Sequence, residues 1–126
     1  MRNVAIVLLI SVIMIIAMSF SIKYLNNASQ NLGKLNDEIE QNIIDENWDK
    51  AYETSIEFTN KWEDYSKKIK LFINHQEIDN IEMELRKLPQ YTKEKTKDES
   101  LASVHVLKFF LNHIAEIEKI KIQNIF

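Results

Sequence analysis

The chain has 126 residues, enough for one domain of ordinary size, with one glycine, one proline and no cysteine. So few turn-forming residues exclude an all-β fold, because its many short strands need many tight turns. The absence of cysteine excludes disulfides, thiolate metal sites and a cysteine nucleophile. A net charge of −3, from 16 basic and 19 acidic residues, argues against a nucleic-acid-binding protein that gains affinity by releasing counterions.

The amino-terminal segment is apolar over the length of a membrane span. Residues 4–20 contain only Ser11 and Ser19 as polar interruptions. As a helix, Val4 to Ile22 spans roughly 28 Å, which nearly matches the hydrocarbon core of a bilayer. Apolar side chains occupy every face, so an amphipathic surface helix is excluded. We expect residues 4–22 to contact the lipid bilayer.

Two interpretations of this segment remain open, an uncleaved anchor and a cleaved signal peptide. Arg2, Ala17 and Ser19 suit cleavage, but the run is longer than the usual signal-peptide core. We expect a transmembrane anchor over residues 1–22 and a second domain over residues 23–126. Neutral polar residues follow the span, whereas a cytoplasmic flank more often carries a cluster of lysine and arginine. We therefore expect a single-pass protein of the cell membrane with its second domain outside the cytoplasm.

Apolar residues beyond the span recur at alternating spacings of three and four, which predicts helices with narrow, coiled-coil-like stripes. The first helix is expected to continue out of the membrane as a stalk, and its stripe is Leu25, Ala28, Leu32, Leu35 and Ile39. A polar break follows, with Asn47 as the expected N-cap of the second helix. The second stripe is Trp48, Ala51, Ser55, Phe58, Trp62, Tyr65, Ile69 and Phe72.

Two further helices complete the predicted fold. The third is expected to end at Pro89, because proline lacks an N–H and disfavours helical conformation in the residue before it. Residues 91–99 alternate in charge and predict an exposed loop, with Asp98 or Ser100 capping the last helix. That helix is apolar more than half-way round, so we expect it to lie centrally. The prediction is an all-α fold, an N-terminal transmembrane helix followed by an antiparallel helical bundle.

An ordered set of short motifs gives the chain a family resemblance. The motifs are the apolar start, Trp48-Asp49-Lys50-Ala51, Trp62, Phe72-Ile73-Asn74-His75-Gln76-Glu77-Ile78 and the closing Asn124-Ile125-Phe126. Together they resemble a family of small, membrane-anchored helical proteins of unknown function from clostridia and related Firmicutes. The resemblance implies no catalytic residues. It implies an integral membrane partner, because members are often encoded beside membrane proteins of the YetF type.

Three residues are candidates for an interaction or a structural role. Trp48 and Trp62 lie two heptads apart on one stripe, so they either pack in the core or line a groove for a partner or ligand. The seamless register favours the core. His75 lies between two helical registers, where it either caps the helix junction or forms a pH-sensitive interface, and we favour the cap.

The remaining polar residues indicate no chemistry. His105 is expected to be a hydrogen-bonded core residue, and His113 with Glu116 forms only one pair where a helical metal site needs several. We expect no cofactor, no bound metal, no nucleic acid and no enzymatic activity. The leading hypothesis is an interaction or structural module accessory to an integral membrane protein, and the alternative is an extracytoplasmic ligand-binding sensor. The sequence does not predict the oligomeric state.

Overall fold

The computed structural model describes residues 1–71 and 73–125, with residues 118, 121, 122 and 125 described by their backbone alone. The described residues form four α-helices, α1 (Arg2–Ile44), α2 (Trp48–Ile69), α3 (His75–Lys93) and α4 (Lys97–Ile125), and no strand. α1 packs against α2 and α4, and α3 packs against the same two helices. The prediction of an all-α helical bundle that follows a long apolar helix is therefore confirmed.

α1 carries the apolar segment and the first side of the bundle in one uninterrupted helix. Its 43 residues extend about 65 Å. An 18-residue window near its start has a mean hydropathy of 2.8, and 0% of that window is buried within the protein. Among the described residues this is the one helix that is long and apolar enough to cross a membrane. From Leu25 onward one face of the same helix is buried, so the stalk becomes part of the bundle.

The core of the bundle contains the predicted stripes. On α2 the stripe residues Ala51, Ser55, Phe58, Trp62 and Ile69 are buried, and Trp48 and Tyr65 are half-buried. Phe72, which was predicted to end this stripe, lies outside the described residues. The apolar stripes on the four helices face one another in one continuous hydrophobic core.

The turn between α1 and α2 does not use the predicted side-chain cap. Asn47 occupies the N-cap position, but its side chain makes no capping hydrogen bond. Instead Glu46 adopts a left-handed conformation with φ of 58°, and the N–H groups of Glu46 and Asn47 donate to the carbonyls of Ile43 and Asn42. A left-handed residue directly after a helix is a common way to satisfy its last carbonyl groups.

The prediction that the third helix ends at Pro89 is wrong. α3 continues through the proline to Lys93, so residues 91–93 are helical rather than part of a loop. The loss is confined to one hydrogen bond, because only the N–H at Pro89 is missing. Two flanking residues, Leu88 and Thr92, are both 0% exposed, and the Thr92 hydroxyl donates to the carbonyls of Leu88 and Pro89. Tertiary packing therefore holds the helix together across the proline.

Two expectations about the last helix are also wrong. α4 begins at Lys97, so Asp98 and Ser100 lie inside its first turn and are not its caps. α4 is not central either, since like the other helices it has two main neighbours, α1 and α3. In this square arrangement every helix keeps an outer face, and part of the apolar surface of α4 therefore remains on the outside.

The two ends of the bundle differ in what lies next to them. We call the end from which the apolar segment projects the base; it comprises residues 23–25, the described residues of the α2–α3 loop (70, 71, 73 and 74) and the last turns of α4. Tyr24 fixes this arrangement, because its hydroxyl lies 3.5 Å from the carbonyl oxygen of Tyr65 near the end of α2. The opposite end, the top, comprises the turns at residues 45–47 and 94–96, which an ion pair of 3.6 Å between Glu46 and Lys97 joins.

Candidate interaction surface

The two tryptophans of α2 lie at different depths. Trp62 is 1% exposed and is among the largest fully buried side chains, whereas Trp48 is half-buried at the top and packs against the edge of the core. The indole Nε1 of Trp62 is buried and makes no hydrogen bond within the described residues. A buried N–H without an acceptor destabilises the fold by about 1–3 kcal/mol. Trp62 is therefore a core residue that carries one uncompensated polar atom.

A groove of about 390 Å³ lies between α2 and α3 over Trp62. Its lining includes the charged residues Glu63, Lys67, Lys70, Glu82 and Arg86. Lys70 and Glu82 form an ion pair of 3.7 Å between the two helices. Pockets for small molecules are mostly apolar with a few polar groups, whereas five charged side chains line this groove.

An exposed apolar stripe runs along the outer face of α4. Three of its members are exposed, Val106 at 36%, Phe109 at 62% and Ile120 at 51%. Phe110 and Ile117 are half-buried on the same side of the helix. We call these five residues the α4 stripe. Its members recur at helical spacing over about 21 Å, so they form one continuous surface rather than scattered exposed residues.

Aromatic contacts order the centre of the α4 stripe. The rings of Phe109 and His113 stack with centroids 5.6 Å apart and an interplanar angle of 12°. Phe109 also contacts Phe110 edge to face, with centroids 5.8 Å apart. On its other side, His113 Nε2 lies 3.6 Å from a carboxylate oxygen of Glu77 on α3. Phe109 is thus held in place before any partner arrives, which lowers the entropy that binding would cost.

The register between α1 and α4 shows where the α4 stripe leads. The Ser29 hydroxyl donates to the carbonyl of Leu111, and the Asn36 amide donates to the carbonyl of Val104. The helices are antiparallel, so each step toward the end of α4 matches one step back along α1. Ile120 is therefore level with about Phe20, inside the apolar segment. The α4 stripe runs from the middle of the bundle down to the level of that segment.

The base is rich in aromatic and basic side chains. The rings of Tyr24 and Tyr65 meet edge to face at 5.8 Å, and the ammonium group of Lys68 lies 5.5 Å from the centre of the Tyr24 ring. Burial raises the pKa of Tyr24, and the nearby Tyr65 and Asp64 add to this effect. In the adjoining loop Leu71 is 83% exposed. An aliphatic side chain so exposed beside an apolar helix is a candidate for contact with lipid.

A comparison of the sequence with known protein families identifies the family of the chain. Residues 19–125 match a domain of unknown function, DUF4363. The chain belongs to the DUF4363 family. This match is consistent with the resemblance to an uncharacterised family, and it assigns no activity. No curated protein and no solved structure matches the chain.

The histidines of this DUF4363 chain lie apart from one another and at the surface. His105 was expected in the core, but it is exposed and its Nε2 lies 3.3 Å from a carboxylate oxygen of Glu40. His113 is half-buried, and its Nε2 lies 3.6 Å from a carboxylate oxygen of Glu77. Among the described residues, no group of three or more histidine, aspartate and glutamate side chains is placed to hold a metal ion.

His75 is the first residue of α3, and it is exposed. The capping role that the sequence suggested for it belongs instead to Asn74, whose side-chain oxygen accepts a hydrogen bond of 3.0 Å from the N–H of Gln76. The favoured interpretation of His75 as a cap is therefore corrected. The alternative, a pH-sensitive interface, stays a prediction.

We expect Asn74→Ala to lower the free energy of unfolding by about 1 kcal/mol, as the loss of a helix cap does. His75→Ala should change it by less than about 0.5 kcal/mol, because an exposed side chain loses little on truncation. Chemical denaturation of both variants of the full chain in detergent measures the difference. Equal losses for the two variants would contradict the assignment of the cap to Asn74.

Two features of the structure could not be found from sequence spacing alone. The apolar residues of α4 were recognised, but their periodicity does not say which of them the bundle leaves outside. Asn36 was missed altogether, although it is 0% exposed and joins α1 to α4. It lies directly beside Leu35 of the predicted stripe, and no pattern marks it as a buried polar residue.

Proposed function

We propose that this DUF4363 protein is a membrane-anchored, extracytoplasmic interaction module accessory to an integral membrane protein. The observation that carries the proposal is the α4 stripe, an apolar and partly exposed surface that runs down to the level of the apolar segment of α1. A partner that covers it fully must present apolar surface both above the bilayer and within it. An integral membrane protein meets that requirement, and the family resemblance suggests a YetF-type protein as the first to test.

The anchor follows from the exposure of the apolar segment. The bundle buries none of the most apolar window of α1, so lipid is the environment that would cover it. An uncleaved anchor also explains why the same helix continues without a break into the bundle. The proposal assigns no catalytic role to any residue.

The sidedness of the bundle can be tested with a single introduced thiol, because the chain has no cysteine. Lys95→Cys places this thiol in the α3–α4 turn at the top. We expect a membrane-impermeant maleimide to label it in intact cells to about the same extent as after lysis, because an extracytoplasmic top is open to the reagent. Labelling that requires lysis would place the bundle in the cytoplasm and contradict this part of the proposal.

The partner surface can be tested by photocrosslinking from two exposed aromatic positions. With p-benzoylphenylalanine at position 109, we expect irradiation of the native membranes to give one adduct with a polytopic membrane protein. The same group at Tyr52, an exposed aromatic position on α2, is the control and should give no such adduct. An adduct with twice the mass of the chain would identify a second copy instead. No adduct, or equal adducts from both positions, would contradict the assignment of the α4 stripe.

A matched pair of substitutions measures the energy of the same contact. Aromatic side chains at the centre of an interface contribute about 2 kcal/mol or more. With no crosslinker present, Phe109→Glu should therefore lower co-purification of the partner that crosslinking identified about tenfold or more. Tyr52→Glu should leave it unchanged. Both side chains are exposed, so the melting temperature should move little in either variant, and a large fall for Phe109→Glu would assign a structural role to Phe109.

The ligand-sensor hypothesis has one observation in its favour, the groove over Trp62. The ion pair between Lys70 and Glu82 crosses this groove, and its charged lining suits a small apolar ligand poorly. A small molecule retained in stoichiometric amount after purification in detergent would favour the sensor over the module.

A further inference from the structure

The acidic residues of the chain are unevenly distributed along its sequence. All 19 acidic residues lie in residues 37–64 and 77–118. The three remaining segments, 1–36, 65–76 and 119–126, hold 8 of the 16 lysine and arginine residues and no acidic residue. These segments are far apart in sequence, yet described residues of each of them reach the base. The fold therefore brings basic parts of the chain next to the apolar segment, where the acidic Asp64 and Glu77 also lie.

The α2–α3 loop carries the most concentrated part of this basic surface. Lys67, Lys68 and Lys70 are exposed at the end of α2, and Leu71 follows them directly. Two of these lysines have weak local partners, since Lys68 lies over the ring of Tyr24 and Lys70 pairs with Glu82 on the surface. Surface contacts of this kind are worth about 1 kcal/mol or less, so both ammonium groups remain free to bind a further anion.

The depth of this loop follows from the pairing of α1 with α2. Tyr24 meets Tyr65, and Leu71 lies six residues further toward the apolar segment. α2 ends at Ile69, four residues or about 6 Å beyond Tyr65, so Ile69 is level with about Phe20 and Leu71 lies at that level or slightly beyond it. The headgroup region of a bilayer extends roughly 5–8 Å beyond each side of the hydrocarbon. In an anchored chain the loop therefore lies at the boundary between this region and the hydrocarbon, and the long lysine side chains can extend from there to the phosphates.

We propose that the base docks on the surface of an anionic phospholipid bilayer. Lys67, Lys68 and Lys70 bind the lipid phosphates, and the side chain of Leu71 enters the boundary between headgroups and acyl chains. This inference rests on the anchor that the proposed function includes, and it adds a second contact with the membrane. Basic residues near a negatively charged membrane surface are attracted to it, and an adjacent apolar side chain adds burial to that attraction.

Docking of this kind fixes the orientation of the bundle relative to the membrane. One helix alone leaves the bundle free to rotate about the axis of α1. A second contact through the α2–α3 loop sets the rotation, and with it the direction that the α4 stripe faces. The positive-inside rule counts basic residues within about 15–20 residues of the end of a span, so it does not apply to these lysines, which lie much further along the chain.

A fluorophore on a single introduced thiol tests the inference in the full chain. Leu71→Cys and Ile44→Cys replace two exposed aliphatic residues, one at the base and one next to the top, and each receives the same environment-sensitive label. The labelled chains are incorporated into nanodiscs of phosphatidylcholine, with or without phosphatidylglycerol, that contain nitroxide-labelled lipid. We expect quenching at position 71, about twofold stronger with phosphatidylglycerol, and little quenching at position 44 in either disc.

Matched charge variants test the role of the lysines. Lys67→Gln, Lys68→Gln and Lys70→Gln together should abolish the extra quenching by phosphatidylglycerol at position 71. The control variant, Lys93→Gln, Lys95→Gln and Lys97→Gln together, removes three lysines and one ion pair at the top. It should leave the extra quenching at position 71 intact. Loss of the effect with the top variant, or its survival in the base variant, overturns the assignment.

The remaining outcomes separate this inference from the anchor. A chain that does not enter nanodiscs contradicts the proposed anchor. A chain that enters them but shows equal quenching at positions 71 and 44, or quenching independent of lipid charge, overturns the docking alone. A last control compares inorganic phosphate with chloride at the same ionic strength. If phosphate abolishes the extra quenching by phosphatidylglycerol and chloride does not, the lysines recognise free phosphate rather than a lipid surface, and the docking is overturned.

Discussion

Trp62→Ala is expected to lower the free energy of unfolding by about 3–5 kcal/mol, the usual loss when a buried large aromatic side chain is truncated. The side chain is 1% exposed in the middle of α2, and its removal leaves a large cavity in the shared core. A small domain has a total stability of about 5–15 kcal/mol, so this single change removes a large part of it. Chemical denaturation of the full chain in detergent, followed by circular dichroism, gives the value.

Two control variants make the assignment of Trp62 specific. Trp62→Phe should stay within about 1 kcal/mol of the unmodified chain, because losing the unpaired Nε1 offsets part of the smaller volume. Trp48→Ala should cost less than Trp62→Ala, since Trp48 is only half-buried at the top. A stability of Trp62→Ala within error of the unmodified chain would place Trp62 at the surface and favour the groove as a binding site.

The core of α2 could be predicted because one regular pattern runs through it. From Trp48 to Ile69 the apolar and small residues alternate at spacings of three and four, and every member faces the inside of the bundle at least in part. At this length such a pattern strongly indicates a helix with one buried face. Each of its positions is therefore predictable from its spacing.

The third helix shows where local rules failed. Pro89 is an unfavourable residue for a helix interior, and residues 91–99 carry no apolar period, so local signals predicted an end and a loop. The burial of Thr92 reversed that outcome, because the residue is 0% exposed and its hydroxyl donates to the carbonyls of Leu88 and Pro89. A stripe that ends on threonine is difficult to recognise when only apolar residues are counted.

The candidate surfaces depend on the fold in a way that the sequence does not reveal. An apolar residue such as Phe109 gives the same signal whether it faces the core or a partner. Its exposure follows from the square arrangement, which leaves α4 with an outer face. The basic residues of the α2–α3 loop likewise come to lie beside the apolar segment only when folding brings this loop next to Tyr24. Acid-free runs were present in the sequence, but their meeting at one end requires the topology.

The last expected result concerns Asn36, the one asparagine among the described residues that is 0% exposed. Its Nδ2 donates 2.9 Å to the carbonyl of Val104, and its Oδ1 has no hydrogen-bond partner among them. Asn36→Asp keeps the shape but removes the donor and places a carboxyl group in the core. We expect a loss of about 3–5 kcal/mol at pH 8, the cost of an uncompensated buried charge.

A pH series separates the cost of this charge from the loss of the hydrogen bond. Burial raises the pKa of the introduced carboxyl in the folded chain above its value in the unfolded chain, so the folded state binds the proton more tightly. The free energy of unfolding should therefore recover as the pH falls from 8 to 5, relative to the unmodified chain at each pH. Asn27→Asp, the same change at an exposed position on α1, should show neither the loss nor the recovery. A loss for Asn36→Asp that is the same at pH 5 and pH 8 would mean that the carboxylate reaches solvent, and that α1 and α4 are not closely packed at Asn36.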